Sequence, residues 1–180
     1  MKILAIPASN SRNSLNRQLL GYATKLIEGG LVADATVEML DLNDYEMPIF
    51  SVDREQENGI HELAQQFFDK IGSADAVMVS FAEYNGSYTS AWKNIYDWAS
   101  RIDTNVYQGK KVAMFAATPG PRAGAGVLGS ATSGAPFFGA ELVGSVGIGT
   151  FGDNFDPDAG EITDPDLRSQ FKDILSAFAE

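Results

Sequence analysis

Residues 76–98 read AVMVSFAEYNGSYTSAWKNIYDW. Ala76-Val77-Met78-Val79-Ser80-Phe81 is an apolar run of the length expected for a strand buried on both faces. A helical pattern takes over near Tyr88 and continues to about Arg101. Between them stand Glu83, Tyr84, Asn85, Gly86 and Ser87, a turn whose Asn-Gly pair tolerates the left-handed backbone angles that other residues resist. A strand passing through a short turn into a helix is the building unit of an open parallel sheet, and the carboxyl ends of such strands form the rim where ligands bind.

The same unit recurs on either side. Lys2 to Pro7 reads as a first strand, and it stops at residues 8–16, ASNSRNSLN. Leu15, Leu19, Leu20, Tyr22, Ala23, Leu26 and Ile27 then recur at helical spacing up to a stop at Gly29-Gly30. Ala35 to Leu40 reads as a second strand, completing a βαβ unit with the right-handed crossover such units adopt. Asp41 to Asn58 is polar around Met47-Pro48-Ile49-Phe50 and reads as a long loop. A helix from about Gly59 to Ile71 places Ile60, Leu63, Ala64, Phe67, Phe68 and Ile71 on one face. Beyond the opening stretch come a fourth strand, Lys111 to Ala116, a Gly-rich segment, a fifth strand, Leu142 to Ile148, and a last helix after Asp164-Pro165. Alternation of this kind predicts an α/β fold with a parallel sheet covered on both faces.

Bulk composition narrows the functional classes. A length of 180 residues suits one domain over 1–180, and 44% hydrophobic with 21% charged residues is ordinary for a globular chain. The net charge of −11 opposes both a nucleic acid and an anionic membrane surface, so neither partner is expected. With no cysteine, thiolate chemistry and thiol-ligated clusters are excluded, and one histidine, His61, builds no His-rich metal site. His61 is expected on the solvated surface. The short apolar start, MKILAIPAS, is too brief for a signal peptide, and no run is long enough to span a bilayer, so a cytoplasmic protein is expected.

The segment 8–16 asks for an anion. It offers Ser9, Ser11 and Ser14, the amides of Asn10, Asn13 and Asn16, free backbone N–H groups ahead of Leu15, and the bidentate fork of Arg12. A helix cap alone would need only one of these side chains. Ala117-Thr118-Pro119-Gly120 brings a second flexible loop to the same rim. Gly124-Ala125-Gly126-Val127-Leu128-Gly129 spells a dinucleotide fingerprint but does not directly follow a strand, and it reads instead as small residues that let a helix pack closely. Trp98 reads as core, Tyr84 as the better ligand-facing aromatic, and Asp97 as a capping or ion-pairing group.

The spelling EYNGS with WKNIYDW resembles the NADPH-dependent FMN reductase family, which includes quinone, chromate and azo-dye reductases. Glu83, Tyr84, Asn85, Gly86, Lys93, Asn94, Asp97 and Trp98 match its motifs, while Ala82 stands for the usual proline. The family's phosphate loop, Gly-Ser-x-Arg-x-x-Ser-x-Asn, is similar to residues 8–16, with Ala8 for the glycine and Arg12 shifted by one place. The resemblance implies a flavodoxin-like, doubly wound, five-stranded sheet in three α/β/α layers. It implies non-covalent FMN, with its phosphate on Ser9, Ser11, Arg12, Ser14, Leu15 and Asn16 and its ring against Ala82, Glu83, Tyr84, Asn85, Gly86, Thr118, Pro119 and Gly120. The implied activity is transfer from NADPH or NADH to the flavin and then to a small acceptor, in a homodimer or homotetramer. No side chain is expected to act as acid or base, and no metal is expected. The alternative is a flavodoxin-type electron carrier, whose docking to basic partners the acidity would suit. Receiver and P-loop readings fail, because Pro7-Ala8-Ser9 follows the first strand where acids would be needed and no Gly-Lys-Ser/Thr turn occurs.

Overall fold

The computed structural model describes residues 1–179. Five parallel strands, β1 (Lys2–Ala8), β2 (Thr36–Met39), β3 (Ala76–Phe81), β4 (Lys111–Ala117) and β5 (Glu141–Ile148), form one sheet in the order β2-β1-β3-β4-β5. The chain steps outward from β1 to β2, then crosses back to β3 and proceeds the other way. The carboxyl ends of β1 and β3 therefore flank a topological switch point, the crevice where open α/β sheets place ligands. This is a doubly wound, five-stranded sheet, as the resemblance implied.

The strands are apolar on both faces because helices cover both. In β1, Leu4 and Ile6 join Phe67, Val79, Trp92, Met114 and Val127 on one side, while Ile3 and Ala5 join Leu19, Met78, Phe115 and Phe171 on the other. The first layer comes from α3 (Glu62–Gly72), α4 (Ser90–Ile102) and α5 (Ala125–Gly134); the second comes from α1 (Leu15–Leu26) and α7 (Pro165–Ser176). Every residue of β3 is buried, as its apolar run, broken only by Ser80, requires. Past α1 the chain makes a wide turn over Ile27–Leu31, closed by Gly30 at φ 104°.

Several expectations need correction. The segment 41–58 is not one long loop: Leu42–Tyr45 is a tight helical turn and Val52–Asn58 is a helix, α2. No residue of α2 is buried, so it carries no apolar periodicity to read. Its stability is local and tertiary: Ser51 caps it, and Arg101 pairs with Glu55. The second strand is shorter than Ala35–Leu40, and α3 starts later than Gly59, at Glu62. His61 is not merely a solvated side chain. It is half-buried, its Nδ1 accepts the Leu63 N–H as the cap of α3, and its ring lies 6.2 Å from that of Trp98. After β5 a short helix, α6 (Phe151–Asn154), leads into a small antiparallel pair, β6 (Phe155–Asp156) and β7 (Glu161–Ile162), which the acidic composition there concealed.

Among the described residues, no helix is long and apolar enough to cross a membrane, and no cluster of three or more His, Asp or Glu residues could hold a metal.

Candidate functional site

Three connections leave the carboxyl ends of β1, β3 and β4 and meet over the switch point. The cleft between them has a volume of about 170 Å³, smaller than the roughly 300–1,000 Å³ of a typical small-molecule site. From the first connection it is lined by Ser9, Ser11, Asn13, Ser14, Leu15 and Asn16; from the second by Ala82, Glu83 and Tyr84; and from the third by Ala117, Thr118 and Pro119. Ten of the fourteen residues singled out in the sequence thus share one cleft. Arg12, Asn85, Gly86 and Gly120 do not line it. Asn13 and Ala117 do, both from the two loops read in the sequence but neither of them among the implied cofactor contacts.

The first connection is built around the start of α1. Ser14 is its cap: in an extended conformation, the side-chain oxygen accepts the Arg17 N–H at 3.2 Å. Ser9 is 6% exposed, and its hydroxyl accepts the Ser11 N–H at 3.2 Å, curling the loop back on itself. With hydroxyls and the unpaired first-turn N–H groups of α1 converging, this end of the cleft suits a dianion. Arg12 is exposed and lines an adjoining recess together with Ser9, Ser11, Ser14, Arg17, Leu40 and Asp41. The backbone N–H of Asn43 and, more weakly, the Arg17 guanidinium hold the Asp41 carboxyl below its ordinary range.

Asn16 plays a part that its position in the loop did not suggest. It is 2% exposed, and its carboxamide joins three elements. Oδ1 accepts the Ala117 N–H at 2.8 Å and the Ser80 hydroxyl at 2.7 Å, while Nδ2 donates to the Ala117 carbonyl at 3.2 Å. The start of α1 is thereby pinned to the ends of β3 and β4.

In the second connection, Tyr84 and Ser87 exchange two backbone hydrogen bonds, at 3.0 and 3.1 Å, around Asn85 (φ 54°) and Gly86 (φ 75°). Left-handed angles at both central residues are those of a two-residue hairpin turn, for which Asn-Gly is the preferred pair. Tyr84 projects from it, 52% exposed. Thr89 then caps α4 and donates its buried hydroxyl to the Ala8 carbonyl at 3.3 Å, joining the second connection to the end of β1. In the third connection, the Thr118 hydroxyl donates to the Gly120 carbonyl at 3.1 Å, and Ala123 (φ 53°) and Gly124 (φ 69°) turn the chain into α5.

The Lys-Asn-x-x-Asp-Trp pattern serves this architecture from behind. Asn94 accepts the Phe50 N–H at 2.9 Å and donates to the Met47 and Pro48 carbonyls, and the Trp98 indole donates to Pro48 at 2.8 Å. These bonds fasten residues 47–50 beside α4. Asp97 pairs with Lys93 one turn away. Trp92 and Trp98 are both core, each 2% exposed. Burial pushes the phenols of Tyr96 and Tyr107, between α4 and α5, above their ordinary range. Neither stands near the cleft as an acid or base.

Comparisons with known proteins agree with this architecture. The model of the NADPH-dependent FMN reductase family matches residues 1–151. An NAD(P)H-dependent FMN reductase of Pseudomonas aeruginosa is 30% identical over 120 residues, which span 67% of this chain and 61% of that protein. A quinone reductase of Escherichia coli K12 is 24% identical over 182 residues, covering 100% of this chain and 94% of its own. Among solved structures, a flavoenzyme NAD(P)H:(acceptor) oxidoreductase from Paracoccus denitrificans superposes with a TM-score of 0.76 at 25% identity, covering 99% of this chain and 94% of that one.

Proposed function

The chain belongs to the NADPH-dependent FMN reductase family, and on that premise we propose that it is an FMN-dependent NAD(P)H oxidoreductase acting on small acceptors such as quinones or azo compounds. One observation carries the reading: the connections after β1, β3 and β4 line a single cleft at the switch point. The donor set fits the cofactor. Ser9, Ser11 and Ser14, with the first-turn amides of α1, suit a terminal phosphate, and Arg12 adds a cation in the adjoining recess that the same serines line. Ala82, Glu83, Tyr84, Thr118 and Pro119 would border the ring, with Asn85, Gly86 and Gly120 supporting the two walls. Leu15 and Asn16 complete the floor.

FMN bound there supplies two-electron transfer from a reduced nicotinamide to the acceptor. The protein binds and orients, and no side chain of the cleft is required to move a proton. The relatives named for quinone and azo-dye reduction support a small-molecule acceptor. A single domain, a cytoplasmic location and a homodimer or homotetramer complete the proposal.

The test is direct. Protein purified from cells is denatured, the released chromophore is chromatographed, and the reloaded protein is mixed with NADPH and then NADH while flavin absorbance is followed. Release of FMN followed by rapid bleaching is expected. A colourless protein that takes up no flavin would refute the proposal, and a flavin that stays oxidised with both nicotinamides would leave only an electron carrier.

A further inference from the structure

Helix α5 begins without a cap of its own. Gly124 at its start offers no side chain, no acidic residue stands in its first turn, and the sequence AGVLGSATSG contains three helix-weakening glycines. The missing acceptor comes from elsewhere: Glu83, 44 residues earlier, accepts the Val127 N–H through Oε1 at 3.0 Å. A carboxylate there also faces the positive end of the helix dipole.

The two segments approach too closely to admit a side chain between them. A Cβ on Gly126 would lie 2.5 Å from the Gly86 carbonyl oxygen and 2.8 Å from Glu83 Oε1, and one on Gly124 would lie 2.5 Å from Ala116 Cβ. The small residues that spell a dinucleotide fingerprint thus let α5 seat against the Glu83–Ser87 hairpin.

We propose that Glu83 is a positioning residue: its hydrogen bond to α5 fixes the width of the cleft between the hairpin after β3 and the loop after β4. In the flavin reading, on which this inference rests, the matched glutamate acts on the ring by holding its two walls at one spacing. Gly126 is the complementary half of the device, since its lack of a side chain permits the contact that Glu83 locks.

Hydrogen exchange on the flavin-free protein and FMN titration together test this. Glu83→Ala should speed exchange of the Ala125–Leu128 amides at least tenfold relative to the parent and weaken FMN at least tenfold. Glu83→Gln, which keeps a carbonyl oxygen for Val127, should restore both to within about threefold of the parent. Gly126→Ala, with the carboxylate intact, should widen the cleft, weaken FMN and raise the mobility of bound flavin in fluorescence anisotropy. Unchanged exchange in Glu83→Ala, or a Glu83→Gln variant as weak as Glu83→Ala, would overturn the inference, the latter because charge and not the acceptor would matter. A parent chain that binds no FMN sinks the flavin reading instead, and the exchange comparison still decides whether Glu83 holds α5.

Discussion

Replacing Asn16 by alanine probes the joint between the three connections most directly. The substitution removes the acceptor of the Ser80 hydroxyl and of the Ala117 N–H, and the donor to the Ala117 carbonyl. Ser80 and Ala117 are themselves buried, so water replaces these bonds only at the expense of local packing. A buried polar group left without a partner costs about 1–3 kcal/mol. With two donors stranded and partial relaxation, the loss should be about 2–4 kcal/mol, a large share of the roughly 5–15 kcal/mol that holds a typical protein folded. For a slope of roughly 2 kcal/mol per molar urea, the unfolding midpoint of the flavin-free protein should fall by about 1–2 M. Flavin must be absent, since a ligand that binds only the folded state masks the change. Ser80→Ala provides the second edge of a cycle. Because it removes the hydroxyl that Asn16→Ala strands, the double variant should lose less than the sum, by about 1 kcal/mol. A midpoint shift under about 0.3 M, or strict additivity at these two contacting sites, would refute this reasoning.

Arg12→Ala should weaken FMN retention about five- to tenfold at low ionic strength, with the gap narrowing as salt rises, because Arg12 is exposed and its pull on a phosphate is screened; equilibrium dialysis at two salt concentrations checks this, and an unchanged affinity would leave the serines and amides to hold the phosphate alone. Thr89→Val should cost about 1–2 kcal/mol in urea melts, since the buried hydroxyl both caps α4 and donates to the Ala8 carbonyl; a cost near zero would mean that neither bond contributes. Glu38 sits between Lys70 at 2.5 Å and Lys2 at 2.9 Å, and the Lys70 bond above all lowers its pKa from the ordinary 4.5. A depressed carboxylate stabilises the fold fully above its unfolded value and progressively less as pH falls through its folded value. Glu38→Gln should therefore cost about 1 kcal/mol at neutral pH, given how exposed these pairs are, and the difference from the parent should vanish in acid below the depressed value; a pH-independent difference in melting would contradict this.

The architecture was legible because burial leaves a periodic trace. The run at Ala76–Phe81 can be apolar at every position but Ser80 only if both faces are covered, and the spacing of Phe67 and Ile71 follows from a helix lying on that sheet. The hairpin at Asn85-Gly86 was legible for a local reason, since few residues adopt its angles. Helix α2 was missed because it buries nothing, and the pattern that reveals a helix is the pattern of what it buries.

By itself, then, the sequence determined the five strands of the sheet, the helices that bury a face on it and the polar loops that follow the strands, since these depend on short-range periodicity and turn chemistry. The partnerships within the site were decided only by tertiary structure. Asn16 looks like one more polar residue of its loop until β4 brings the Ala117 backbone to it across 101 positions, and Glu83 looks like a ligand until α5 arrives uncapped beside it. A carboxamide or carboxylate accepts any donor in reach, so its role follows from which buried donor the fold presents, and that depends on strand order and crossover rather than on neighbours in the chain.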